Sequence, residues 1–193
     1  GYTTVIDMPL QNDPCMTNAE AFDFKENKVS PNAFVDYCFW GGLTSYNFND
    51  LKDLDEKGCV SFKSFIGPVS PDYESLNYGQ AMEAMDIIKE FGGRAGFHCE
   101  DYAIIKNQEK RMKEAGRNDW KAFLESRPVV AEIVATDAII EIAKATGCKA
   151  HICHVSHPAV AKKIKAAQDE GYDITAETCT HYLTFSNEDV IEK

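Results

Sequence analysis

The sequence lacks the features that mark several large protein classes. Its 193 residues carry 20 basic against 31 acidic side chains, a formal net charge of −11, so no basic stripe is available to neutralise nucleic-acid phosphates. No apolar run approaches the ~18–20 residues that a membrane-spanning helix needs, and no signal peptide is visible. We therefore expect binding neither to nucleic acid nor to a membrane.

Paired cysteines are also lacking. The cysteines are odd in number, form no C-x-x-C pair, and mostly lie inside apolar, strand-like runs. Neither a disulfide framework nor a zinc motif has this spacing. The pattern predicts reduced thiols in a cytoplasmic protein. The seven are Cys15, Cys38, Cys59, Cys99, Cys148, Cys153 and Cys179.

An initiator methionine is the third absence. The chain starts at Gly1 and runs directly into a strand pattern, "YTTVIDMP". It stops at Lys193 within a helical pattern, "SNEDVIEK". We expect an internal piece of a longer polypeptide.

One unit repeats along the chain: an apolar strand of about seven residues, a loop, and an amphipathic helix that ends at glycine. The stretch between the first strand and Asn32 is polar and receives no element. Strands are predicted at Thr3–Pro9, Ala33–Gly42, Cys59–Gly67, Arg94–Glu100, Lys149–Ser156 and Asp173–Phe185. Helices are predicted at Phe48–Gly58, Tyr78–Gly93, Tyr102–Glu125, Arg127–Gly147 and Pro158–Gly171.

Strands that alternate with helices and have nearly continuous apolar cores indicate an α/β protein with a covered parallel sheet. Six such units fit either a doubly wound sheet or most of a (β/α)8 barrel. No G-x-G-x-x-G or G-x-x-x-x-G-K-[ST] loop follows any strand, which weakens the nucleotide-binding interpretation. Periodicity alone leaves both architectures open.

Three ionisable residues lie late in three consecutive strands: Lys63 in "SFKSF", His98 in "GFHCE" and His154 in "HICHVS". The carboxyl ends of parallel strands meet at one rim, where α/β active sites are built. Side-chain alternation allows all three to face that rim together. Each also has an ordinary interpretation, a hydrogen-bonded core histidine or a lysine that reaches water.

Two chemistries suit two histidines and a lysine. In the first, neutral imidazoles bind a divalent metal, and the lysine amine captures carbon dioxide as an anionic carbamate that could join two ions. In the second, a desolvated lysine forms a Schiff base with a carbonyl substrate, as in barrel aldolases.

The segment "HICHVSHP" could be taken for a zinc knuckle. On a strand, however, His151 and His154 point to opposite faces, which disfavours a shared ion. Cys99 and Cys153 flank the candidate ligands on the other strand face. We expect both cysteines to pack against helices rather than on metal.

Seven segments together resemble one family, the cyclic amidohydrolases: allantoinase, dihydropyrimidinase/hydantoinase and dihydroorotase. The resemblance runs from end to end of the chain and keeps the order of the motifs, and the "IDMPL", "GGLTSYN" and "ETCTHYL" segments look most like allantoinase. The segments are "GYTTVIDMPL", "GGLTSYN", "SFKSF", "GFHCE", "SRPVVAE", "HICHVSHP" and "ETCTHYL".

This resemblance implies a distorted (β/α)8 TIM-type barrel with a binuclear metal centre and a small β domain. Residues 1–193 would form the central part of the catalytic barrel, strands two to seven, without the first strand, the eighth strand or the β domain. Lys63 matches the catalytic lysine that is carboxylated and bridges the two metals, and His98 and His154 match ligands of the second metal. The family's remaining ligands, an H-x-H pair and an aspartate, have no match here.

The reaction that the resemblance implies is hydrolysis of a cyclic amide by a hydroxide that bridges two divalent ions, expected to be zinc. Allantoin, opened to allantoate, is the expected substrate, with dihydropyrimidinase/hydantoinase or dihydroorotase activity as the alternative. Thr180 and His157 depart from the family pattern at positions that bear on substrate choice, and no substrate-binding residue is predicted. A non-catalytic assembly scaffold is the alternative of another class. Relatives are dimers or tetramers, so a homo-oligomer is expected.

Overall fold

The computed structural model describes residues 1–70 and 73–191. Six strands form one sheet in the order in which they occur along the chain, and every neighbouring pair is parallel. The strands are β1 (Thr4–Asp7), β2 (Asp36–Gly42), β3 (Ser61–Ile66), β4 (Arg94–Cys99), β5 (Lys149–Ile152) and β6 (Ile174–Ala176). The helices are α1 (Ala19–Val29), α2 (Leu51–Lys57), α3 (Tyr78–Glu90), α4 (Tyr102–Glu114), α5 (Trp120–Glu125), α6 (Val129–Thr146), α7 (Pro158–Asp169) and α8 (Asn187–Ile191).

The main helices cover one face of this sheet. A single apolar cluster joins buried residues of α1, α2, α3, α6 and α7 to alternate strand residues such as Phe62, Phe97 and Ile152. A doubly wound sheet would reverse its strand order and carry helices on both faces. Sequential order with helices on one side is instead the geometry of a (β/α)8 barrel, of which six strands are present here. The predicted fold class is confirmed.

The opposite face, which we call the inner face, carries the polar residues. The register pairs Trp40 with Ser61, Lys63 with Gly96, and Gly96 in turn with His151. Side chains alternate along each strand, so these residues and those two positions further on point to the same side. Lys63, His98 and His151 therefore share the inner face.

Local signals fix the helix ends. Asn77 caps α3 through a reciprocal pair of hydrogen bonds with Gln80, which satisfies two amides that the first turn leaves free. Gly147 ends α6 with a left-handed φ of 73°, a conformation that residues with a Cβ adopt at a cost.

Two helical regions differ from the prediction. The polar stretch before Asn32 contains α1, whose start is capped by Asn18 accepting from the Ala21 amide. The predicted helix Tyr102–Glu125 is two helices, because the chain turns at Gly116 with a φ of 70°.

The last two strands are shorter than predicted. The ladder of β5 ends at Ile152, and β6 spans three residues before a 3-10 turn at Thr180–Leu183. The helical pattern at the carboxyl end forms α8, and its final residues, 192 and 193, lie outside the described part of the chain.

No helix in the described ranges is long and apolar enough to cross a bilayer. No disulfide joins the cysteines, all of which fall within those ranges.

Candidate metal centre

Lys63 lies in the middle of β3 on the inner face and is almost completely buried, with 2% exposure. Its Nζ donates to the carbonyl oxygen of Ser64 at 2.8 Å and lies 3.9 Å from the ring centroid of Phe65. No described carboxylate forms an ion pair with it. Because burial penalises the ammonium form, the pKa of Lys63 is lowered. The side chain is thus a buried amine without a counter-ion.

The backbone of Lys63 is held by a buried tyrosine. The Tyr73 hydroxyl accepts from the amide of Leu43 at 3.1 Å and donates to the carbonyl of Lys63. Tyr73 is fully buried, so these contacts are shielded from water. The tyrosine therefore joins the carboxyl end of β2 to β3 at the lysine.

Two histidines meet beside this amine. His98 lies near the end of β4, and its Nδ1 is 3.0 Å from Nε2 of His154, with ring centroids 4.8 Å apart. Burial, followed by the nearby charges of His98 and Lys63, lowers the pKa of His154 to about 4. His154 therefore presents a neutral imidazole at pH 7, the form that binds metal.

A regular continuation of β5 would not bring His154 to this position. The alternation of β5 directs His151, not His154, to the inner face, since His151 is the register partner of Gly96. The chain leaves the ladder after Ile152, and His154 adopts a left-handed φ of 39°, which turns its ring towards His98. Such a conformation is uncommon for a residue with a Cβ and is typical of functional sites.

Glu100 orients the His98 ring. His98 Nε2 lies 3.3 Å from Glu100 Oε2, and the other oxygen, Oε1, is 3.9 Å from Nε of Arg127. Arg127 is itself anchored by Glu109 at 2.9 Å. A carboxylate on the outer nitrogen of a metal-binding histidine fixes the tautomer and leaves the inner nitrogen free to bind.

The two histidines line a small pocket of about 110 Å³ near the sheet rim. Glu100, Glu132 and Tyr182 also line it, so the pocket is mostly polar. Neutral imidazole nitrogens are ligands that Zn²⁺, an ion of intermediate softness, binds well. The buried amine would become an oxygen ligand for the same ion once it is converted to a carbamate. The residues present therefore fit a divalent metal.

The structure brings two of the three predicted residues into direct contact and places the third nearby. Phe65 connects them, because its ring lies under Lys63 Nζ and 5.1 Å from the His98 ring. The contacts of Glu100 and Tyr73 were not predicted. Alternation placed Glu100 on the face of His98, which could have signalled its role, but no pattern indicates Tyr73.

The expectation for the two cysteines next to the histidines was half wrong. Cys99 packs in the apolar cluster under the helices, as predicted. Cys153 follows the alternation of β5 instead and turns its thiol to the inner face, towards His151 and Glu177. The prediction took the phase of the strand from His154, whereas the register of β5 places His151, and with it Cys153, on the inner face.

Comparison with known proteins finds relatives that match nearly the whole of this chain. The chain is 32% identical over 193 residues to allantoinases of Salmonella paratyphi B and Salmonella newport. The alignment covers 97% of this chain and 43% of each relative. The chain thus spans less than half the length of the allantoinases to which it is homologous. No family model matches it.

Solved structures of cyclic amidohydrolases give the same fold. The L-hydantoinase (dihydropyrimidinase) of Arthrobacter aurescens superposes with a TM-score of 0.94 at 30% identity, over 98% of this chain and 42% of that one. A D-hydantoinase superposes with a TM-score of 0.87 at 25% identity, over 100% of this chain and 42% of that one. The six strands therefore correspond to part of the barrel in those enzymes.

Proposed function

We propose that the protein hydrolyses the amide bond of a small cyclic amide and that Lys63, His98 and His154 hold part of a divalent-metal centre. One observation carries the proposal: His98 Nδ1 and His154 Nε2 converge at 3.0 Å beside a buried lysine, in a chain homologous to allantoinases. The sequence contains no H-x-H pair. In this proposal the other ligands lie outside these 193 residues, in line with the 43% of each relative that the alignment covers.

Lys63 would act as a carbamate. Its neutral amine attacks carbon dioxide, a nitrogen–carbon bond forms, and the displaced proton leaves to solvent. A cation that is costly to bury becomes an anion with two oxygen donors. The lowered pKa of Lys63 supports this step, because the neutral amine is the form that reacts.

The two histidines would supply nitrogen ligands that need no deprotonation near pH 7, and Glu100 would keep the His98 ring in place. Two divalent ions, zinc in our proposal, would lower the pKa of a water molecule from ~15.7 to ~7 and polarise the carbonyl of the ring amide. The buried rings of Phe65 and Tyr73 exclude bulk water from the lysine side of this site.

Allantoin is the substrate that we propose first, because the sequence relatives above are allantoinases at 32% identity. Hydantoin and dihydrouracil are the second candidates, since the structure superposes on an L-hydantoinase with a TM-score of 0.94. Turnover of allantoin, hydantoin and dihydrouracil by the intact protein, measured under identical conditions, separates these substrates. Faster turnover of dihydrouracil than of allantoin would overturn the first assignment.

Metal analysis tests the centre itself. We expect the intact protein to hold close to two divalent ions and to lose activity when a chelator removes them. Mass spectrometry under non-acidic conditions should find one carbon dioxide added to Lys63. A protein with no bound metal and no turnover of any of the three substrates would instead be a non-catalytic scaffold.

The absence of disulfides among the described residues supports a reducing compartment, and we place the protein in the cytoplasm. A homo-oligomer stays a prediction from the resemblance.

A further inference from the structure

A second group of potential metal-binding side chains lies on the inner face, next to the site described above and with no ligand in common with it. His151, Cys153 and Glu177 each offer one ligand atom, and these atoms all lie within 4.8 Å of one another. His151 Nε2 and Glu177 Oε2 are 3.8 Å apart. We propose that His151, Cys153 and Glu177 bind one thiophilic divalent cation of the Zn²⁺ class, separate from the proposed binuclear centre.

The histidine is oriented as a ligand by its other nitrogen. Nδ1 of His151 lies 2.8 Å from Oγ1 of Thr175, and this hydroxyl can itself donate to the carbonyl of Ala150, 3.4 Å away. With the hydroxyl donating to Ala150, it accepts from Nδ1–H of His151, and Nε2 keeps its lone pair. This is the arrangement by which a neighbouring group fixes the tautomer of a metal-binding histidine.

That lone pair has no partner within the described chain. His151 Nε2 is a buried polar atom without a hydrogen bond, and it faces Cys153 and Glu177. Buried polar atoms are almost always satisfied, so an orphan of this kind requires an explanation. A cation between the three side chains would satisfy the nitrogen, the thiol and the carboxylate together.

The frame around the site is rigid. The Trp40 ring meets the His151 ring edge-on at 5.5 Å, which restricts rotation of the imidazole. Backbone hydrogen bonds link Cys153 N to Phe97 O, and Glu177 N to Ile152 O, at 3.0 and 3.2 Å. The three ligands therefore stand on strand ends whose spacing is set by the sheet.

Size and access suit a single ion. Zn²⁺ binds nitrogen, oxygen and sulfur at about 2.0–2.3 Å, so its ligands lie roughly 3.5 Å apart, and the widest pair here would close by about 1 Å. Glu177 is half-exposed and can make that movement. His151 and Glu177 also line a cavity of about 360 Å³ on the inner face, which gives an ion and a fourth, water ligand a way in.

Cobalt substitution of the intact protein tests the proposal. A cysteine thiolate on Co²⁺ gives a strong charge-transfer absorption in the near ultraviolet, which imidazole and carboxylate ligands do not give. We expect the amplitude of this absorption to correspond to one thiolate-bound Co²⁺ per chain, whatever the occupancy of the proposed binuclear centre. It should vanish in Cys153→Ser and persist in Cys99→Ser, a buried cysteine that lies outside the group.

A second variant separates this site from the proposed centre. The double change His98→Ala and His154→Ala should abolish cyclic-amide hydrolysis yet leave the thiolate absorption in place. Glu177→Gln, at a half-exposed position, should weaken Co²⁺ binding by about tenfold or more without loss of the fold. If the unsubstituted protein shows no thiolate absorption with excess Co²⁺, the three residues are only a polar cluster and the proposal fails.

Discussion

The Nδ1 atom of His98 and the Nε2 atom of His154 lie 3.0 Å apart, with ring planes inclined by 65°. This contact depends on the backbone of His154, whose φ of 39° turns the ring towards β4 after the strand has ended. A left-handed residue with a Cβ costs on the order of 1 kcal/mol, and the strain persists where function requires it.

A change of His154 to Asn should therefore separate the ligand role from the backbone role. Asparagine tolerates the left-handed region, whereas alanine does not. We expect His154→Asn to be about 1 kcal/mol more stable than His154→Ala in urea unfolding of the metal-depleted protein. Both variants should lose about one bound metal ion and at least about 100-fold in activity. Equal stability of the two would show that the strain is absent.

Replacement of Lys63 by Met should stabilise the metal-free protein while removing activity. Methionine fills a similar volume and removes the buried amine, which forms no ion pair with any described carboxylate. We expect the free energy of unfolding to rise by about 1–3 kcal/mol, because the cost of burying a polar group is removed. Lys52→Met, at an exposed lysine that pairs with Glu56, is the matched control and should change stability by less than about 0.5 kcal/mol. Destabilisation by Lys63→Met would contradict this view of the site.

Loss of the carboxylate behind His98 should weaken metal binding without removing a ligand. Glu100→Gln keeps the shape of the side chain but removes its charge, and we expect metal affinity to fall by about 10–100-fold in chelator competition. Glu109→Gln is the control, because Glu109 also pairs with Arg127 but does not contact His98. If both changes lower metal affinity equally, the lost affinity arises from the displacement of Arg127 rather than from the orientation of the His98 ring.

The stability of the metal-depleted protein should fall on acidification. The pKa of His154 drops from 6.5 to about 4 on folding, so between these values the unfolded chain binds the additional proton. The contribution of His154 to the free energy of unfolding is therefore greatest above pH 6.5. It falls by about 3 kcal/mol in total as the pH drops towards 4.

His151, whose pKa is also lowered by burial, acts in the same direction. The comparison of the protein with His154→Asn isolates the contribution of His154. We expect the variant to show a flatter dependence of unfolding free energy on pH between 4 and 6.5. Identical slopes in urea unfolding would show that His154 is not buried in its neutral form.

The sequence was sufficient for the order of the strands, their parallel arrangement and the shared face of Lys63 and His98. These follow from apolar runs, glycine stops and side-chain alternation, which are local properties of the chain. Helix α1 escaped prediction because its fully buried residues, Ala21 and Phe22, are few and most of its other positions are polar.

The side-chain directions and contacts at the two inner-face sites could not be predicted from local properties of the chain. The prediction took the phase of β5 from His154 and therefore put Cys153 on the wrong face, whereas it is the left-handed backbone of His154, beyond the end of the ladder at Ile152, that turns its ring to the inner face. The contact of Tyr73 with Lys63 crosses a loop, and only the folded structure brings the two together. Side-chain direction beyond a strand end is a tertiary property.

Gly96 is the clearest case of such a tertiary requirement, and it gives the last prediction. A Cβ at Gly96 would lie 2.1 Å from a ring carbon of Trp40, the residue whose ring packs against His151. Gly96→Ala should therefore displace the tryptophan and lower the free energy of unfolding by about 1–3 kcal/mol.

The double variant Gly96→Ala with Trp40→Phe should recover a large part of that loss, because the shorter ring vacates the space that the new methyl group needs. Urea unfolding of the two single variants and the double variant measures the coupling between these positions. Additive losses would mean that the methyl group clashes with the sheet backbone rather than with Trp40. A positive coupling would show that glycine is required at position 96 to admit the ring that fixes His151.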